Sequence, residues 1–208
     1  MPVRHGLAPL TGVLFVVLLL TFFAIAPFPP VSTEVSVDEV VNFYVENGDR
    51  VFIGALFQSL SAATFLLFAA VLHKEMRARG AAASAVGLMA GATVFTVGAT
   101  LDATINAAGA NAAGMVDAVA VQALTALYEF AYMPAATGMF VFLVGWGAAI
   151  VRHGLFPAWT GWLFVAAALL AISTPFFVPG FYAALTVVGL AVLVASVKLT
   201  RQAVAAPA

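Results

Sequence analysis

Long apolar runs, broken by short polar stretches, divide the chain into six segments, at about 10–28, 51–73, 82–101, 123–151, 159–178 and 181–197. About 20 apolar residues cross the hydrocarbon core of a bilayer as one helix. Helix is the required form there, because lipid offers backbone N–H and C=O groups no partners. A barrel would need short strands of alternating polarity, and runs such as Val13-Leu14-Phe15-Val16-Val17-Leu18 do not alternate. The predicted fold is therefore all-α: a polytopic membrane protein with six transmembrane helices in a single domain over 1–208.

The polar stretch between the first two segments has a pattern of its own. Ser36-Val37-Asp38-Glu39 reads as a capping box, with Ser36 as N-cap and Glu39 reaching back. Val37, Val40, Val41, Tyr44 and Val45 then repeat at helical spacing. Asn47-Gly48 resembles a helix stop. The pattern predicts a separate amphipathic helix over about 37–47, lying on the outer rim. Further along, Pro157 is placed to open the fifth span, and Pro179-Gly180 to make a tight turn between the last two. The first segment has the basic start (Arg4, His5) and the Ala24-Ile25-Ala26 site of a signal peptide. Its long apolar run and the following Pro27 favour retention as an anchor.

Charge fixes an expected orientation. Arg4, Lys74, Arg77, Arg79, Arg152, Lys198 and Arg201 fall on one side of the six-span layout, and Arg50 alone on the other. Glu34, Asp38, Glu39, Glu46, Asp49 and Asp117 mark that second side. Cytoplasmic loops carry the excess of Lys and Arg, so both termini are expected in the cytoplasm. Composition agrees: 64% of the 208 residues are hydrophobic and 8% charged, against about 25% charged in soluble domains. A net charge of −1 excludes nucleic-acid binding driven by bulk charge. The absence of Cys excludes disulfides, thiolate metal sites and cysteine nucleophiles.

Three stretches carry a resemblance. They are Val37-Asp38-Glu39-Val40-Val41-Asn42-Phe43-Tyr44-Val45-Glu46-Asn47-Gly48-Asp49-Arg50, Val71-Leu72-His73-Lys74-Glu75-Met76-Arg77 and Gly154-Leu155-Phe156-Pro157-Ala158-Trp159-Thr160-Gly161-Trp162. The layout they frame resembles a family of six-helix bacterial membrane proteins of unassigned function, common in actinobacteria. That resemblance implies a fold and a bacterial plasma membrane, and no activity.

Candidate chemistry is sparse. Ionisable side chains within a span are costly and point to function by default. Here they are Asp102 and Glu129, both near the outer boundary. Span three places Gly87, Gly91, Gly98, Asp102 and Asn106 on one helical face. The glycines are candidates for close helix packing. Span four places Gln122, Thr125, Glu129 and Tyr132 on one face, with Pro134 expected to kink the helix just beyond. Span two offers Gly54, Gln58 and Ser61. Three faces thus turn polar at similar depth, which predicts an outward-facing ligand pocket lined by Gln58, Ser61, Asp102, Asn106, Gln122, Glu129 and Tyr132.

The histidines His5, His73 and His153 fall at the cytoplasmic edge, with no pair at i, i+4, and no metal site or cofactor is expected. No G-x-S-x-G, P-loop or G-x-G-x-x-G occurs, and no catalytic residue is nominated, so an enzyme is the less favoured class. The expected partners are the lipid bilayer and a small-molecule or lipid ligand; a homo-oligomer is compatible with the pattern. The alternatives are a small-solute or proton-linked carrier using the carboxylates, and a structural or accessory protein binding a partner through its small-residue faces.

Overall fold

The computed structural model describes residues 7–30, 34–154 and 156–205. Arg4 and His5 lie outside the described residues. Six helices follow in order: α1 (Leu10–Ile25), α2 (Val37–Ala78), α3 (Ala82–Ala112), α4 (Ala118–His153), α5 (Ala158–Ile172) and α6 (Val178–Ala205). No strand occurs among the described residues. Four of the helices, α2, α3, α4 and α6, are long and apolar enough to cross a membrane. Helices α1 and α5, of 16 and 15 residues, are shorter.

The helices run up and down, each against its neighbours in sequence, and α6 closes back on α1. Contacts fix the antiparallel directions. Between α1 and α2, a Cβ on Gly12 would lie 2.7 Å from Phe68, whereas at the other end Arg50 Nε donates to Ile25 O at 3.2 Å. Between α2 and α3, His73 Nδ1 donates to Ala85 O at 2.9 Å, and Thr96 Oγ1 donates to Ala62 O at 3.2 Å. Arg50 thus satisfies a carbonyl at the C-terminus of α1, where the helix dipole favours positive charge.

The core is a relay of aromatic rings. Phe15 of α1 meets Phe65 of α2 at 5.0 Å between centroids. Phe65 meets Phe95 of α3 at 4.9 Å and Phe142 of α4 at 4.8 Å. Trp146 continues the relay to Phe164 of α5 at 4.7 Å. The outside is equally apolar: Leu56, Leu60, Leu67, Val86, Val97 and Leu190 are exposed. A surface of that kind suits lipid rather than water. Exposed hydroxyls are satisfied within their own helices. Thr21, Thr93, Thr100, Thr104 and Thr186 each donate to the carbonyl four residues back, which removes free donors from an apolar environment.

Two local expectations are corrected. First, the stop at Asn47-Gly48 does not occur. The predicted rim helix and second span are one helix of 42 residues, capped as expected by Ser36 Oγ accepting from Glu39 N at 3.3 Å. A glycine inside a helix costs only about 1 kcal/mol, and Asn47 Nδ2 donates to Phe43 O within the helix. Val40, Tyr44 and Val51 on this stretch are buried with Val121 of α4, and that packing outweighs the weak stop. At 1.5 Å per residue α2 is about 63 Å long, about twice the thickness of a hydrocarbon core. The ends of α3 and α4 extend with it.

Second, Pro179-Gly180 does not make the last turn. Both lie in the first turn of α6, where the missing N–H of Pro179 costs nothing. Helix α5 stops earlier because Pro175 disfavours helical backbone at Thr174. Ser173 Oγ and Thr174 Oγ1 donate to the carbonyls of Leu170 and Ala171. Helix α4 runs without a break through Pro134 to His153.

Candidate functional site

The α3–α4 contact is built on glycine. A Cβ on Gly91 would lie 2.7 Å from Gly138 O and collide with Phe142 N; one on Gly98 would lie 2.8 Å from both Ala135 Cα and Pro134 C. These are backbone atoms that cannot move aside. Gly87 differs, since a Cβ there would lie 4.0 Å from Gly145 Cα, an ordinary contact. The small-residue face at Gly91 and Gly98 is therefore occupied by α4 of the same chain, and α3 is held tightly enough to fix where Asp102 points.

Beside the Gly98 end of this seam lies a cavity of about 420 Å³. Gln58 and Ser61 of α2, Asp102 of α3, and Glu129 and Tyr132 of α4 line it. Gln58 Nε2 donates to Asp102 Oδ2 at 2.7 Å. Ser61 Oγ donates to Phe15 O at 3.2 Å, tying α2 to α1 at the cavity's depth. Two members of the predicted set lie elsewhere. Asn106 is 4% exposed and its Oδ1 accepts from Tyr44 OH at 3.1 Å, in the separate cluster where α2, α3 and α4 meet beyond the cavity. Gln122, two helical turns before Glu129, is not a lining residue either.

The rest of the wall was not legible as a site. Phe22 and Phe23 of α1, Phe28-Pro29-Pro30 after it, Tyr128 of α4, Thr174 in the α5–α6 turn, and Phe181 and Tyr182 of α6 all line the cavity. Phe22 and Phe28 meet edge to face at 6.0 Å, and Phe23 meets Tyr182 at 6.2 Å. The pairing of Phe22-Phe23 with Phe28-Pro29-Pro30 was a usable signal, since it collects rings and fixed backbone at one helix end. Among the described residues, the side chains lining the cavity include no Lys, Arg or His. Phe95, one of its lining residues, packs against the buried ring of Phe65.

Among the described residues no group of three or more His, Asp or Glu side chains could hold a metal ion. His153 is exposed, and His73 is engaged with Ala85 O. A family model described as a domain of unknown function, DUF4386, matches residues 10–201. The chain belongs to that family. The DUF4386 match takes in all six helices, from α1 through most of α6, and so every lining residue of the cavity. No curated protein and no solved structure matches the chain.

Proposed function

We propose that this DUF4386 protein is a six-span protein of the bacterial plasma membrane whose outward-facing cavity binds a small ligand. Several observations support the six spans. Helix α1 packs along α2 from Gly12 near Phe68 to Gly54 near Ala26, so the short helix shares the depth of the apolar part of α2. The basic residues Lys74, Arg77 and Arg79 at the α2–α3 turn and Arg152 at the end of α4 share one end of the up-and-down bundle, which suits cytoplasmic termini. Gln58 precedes Lys74 by 16 residues, about 24 Å of helix. That distance supports a position near the outer edge of a hydrocarbon core about 30 Å thick.

The observation that carries the ligand reading is the Gln58–Asp102 hydrogen bond inside an aromatic-walled cavity. A mostly apolar hollow of this size with a few convergent polar groups is the usual form of a small-molecule site. A carrier would need a polar way onward from Asp102, and two turns back along α3 the buried ring of Phe95 packs on Phe65 instead. Binding without passage is the better-supported reading. An accessory protein that recruits partners through Gly91 and Gly98 is disfavoured, because α4 covers them.

Native mass spectrometry of the full-length protein tests the proposal. A bound small molecule or lipid is expected on the wild type, with reduced occupancy in Asp102→Asn and Glu129→Gln. Equal occupancy in all three would remove these carboxylates from the binding site.

A further inference from the structure

The cavity's chemistry points to the class of its ligand. Asp102 and Glu129 line it together, and among the described residues no basic side chain does. The carboxylate of Asp102, held in an apolar span, is costly unless a charge pairs with it. Gln58 supplies Asp102 with an amide dipole, not a charge. The surrounding rings add to the same bias. An aromatic face is electron-rich and attracts cations, and quaternary ammonium groups are commonly held in such cages. Phe22, Phe23, Phe28, Tyr128 and Tyr182 reach the cavity from α1, from the segment after it, from α4 and from α6. An anion would meet like charge here. A sugar would find too few hydrogen-bonding groups on a wall that is mainly carbon.

We infer that the cavity takes an organic cation with an apolar body, its charge beside Asp102 and its hydrocarbon against the rings of α1 and α6. This rests on the reading of the cavity as a ligand site. It also gives the Gln58 amide a role. By donating to Oδ2 it holds the carboxylate in one orientation, so that the cation meets a preset acceptor.

The test compares three probes of similar shape on the full-length protein in a zwitterionic phosphatidylcholine nanodisc. They are benzyltrimethylammonium, its neutral isostere neopentylbenzene, and the anion benzenesulfonate. Calorimetric titration is expected to give saturable binding of the ammonium ion. The neutral isostere should bind at least about tenfold more weakly and the anion not at all. Asp102→Asn, which keeps shape and hydrogen bonding while removing charge, should lower ammonium affinity by about tenfold or more. Tyr182→Ala should lower it without altering charge, so the inference does not depend on one variant folding. Equal binding of ammonium and neutral isostere, or unchanged affinity in Asp102→Asn, overturns the cation class and leaves a neutral-ligand cavity standing. Failure of every probe, with no co-purified molecule by native mass spectrometry, overturns the cavity reading as well.

Discussion

Gln58 Nε2 donates to Asp102 Oδ2 at 2.7 Å, joining α2 to α3 across 44 positions of sequence. Both side chains are part-buried, so the bond is expected to contribute in the lower half of the range for charge-assisted hydrogen bonds. Gln58→Leu should destabilise the protein by about 1–2 kcal/mol by leaving the carboxylate without its donor. The double change Gln58→Leu with Asp102→Leu should recover most of that loss, because both polar groups leave together. Unfolding of the four proteins in mixed detergent, treated as a double-mutant cycle, measures the coupling. Strict additivity would show that the two groups do not stabilise each other.

The glycines of α3 should separate by position. Gly91→Ala and Gly98→Ala push a methyl into the backbone of α4 at Phe142 and at Pro134-Ala135. Each is expected to cost about 1–3 kcal/mol. Gly87→Ala finds ordinary contact distance to Gly145 and gains helix propensity. It should be neutral or slightly stabilising in the same unfolding measurement. Equal losses at all three positions would mean that the seam is not set by backbone contact.

Much of this was legible from spacing alone. The six helices follow from apolar length, and the start of α2 from Ser36 and Glu39. Gln58, Ser61, Asp102, Glu129 and Tyr132 converge because consecutive antiparallel helices bring equal depths together. Two things were not legible. Asn106 follows Asp102 by one turn on the same face, yet Tyr44 draws it into another cluster. That outcome depends on α2 continuing through Gly48, a choice made by packing against α3 and α4. The walls from α1 and α6 were hidden for another reason. Phe22, Phe23 and Tyr182 have the composition of lipid-facing aromatics, and only the closure of α6 on α1 brings them to one cavity wall.

Asn106 and Asp102 should therefore respond differently to change. Tyr44 is buried over Gly109, where a Cβ would lie 2.9 Å from the ring, and its hydroxyl donates to Asn106 Oδ1. Tyr44→Phe removes the donor and leaves a buried amide oxygen short of one bond, at a cost of about 1–3 kcal/mol. Ligand occupancy should stay at the wild-type level, since neither residue lines the cavity. Asp102→Asn should show the opposite pattern, with occupancy reduced and stability little changed. Melting temperature and native mass spectrometry on the two variants check both halves. A loss of ligand in Tyr44→Phe would place the outer cluster in the binding machinery.

The absence of native Cys makes the orientation directly measurable. Glu46 is exposed on the part of α2 that extends beyond the cavity, 12 residues before Gln58, or about 18 Å of helix. His153 is exposed at the last position of α4, at the basic end of the bundle. In intact cells, a membrane-impermeant maleimide should label Glu46→Cys at once and His153→Cys only after permeabilisation. The opposite order would invert the protein in the membrane and turn the cavity toward the cytoplasm. Rapid labelling of Glu46→Cys also bears on the length of α2. A helix whose first turns lay flat in the interface would shield a face of this segment, whereas one that stands clear of the bilayer leaves position 46 in water. Cysteines at Asn42, Val45 and Asp49, all exposed, should then react at rates close to that of position 46. A steep fall at 45, on the apolar side of the stripe, would instead indicate that lipid covers it.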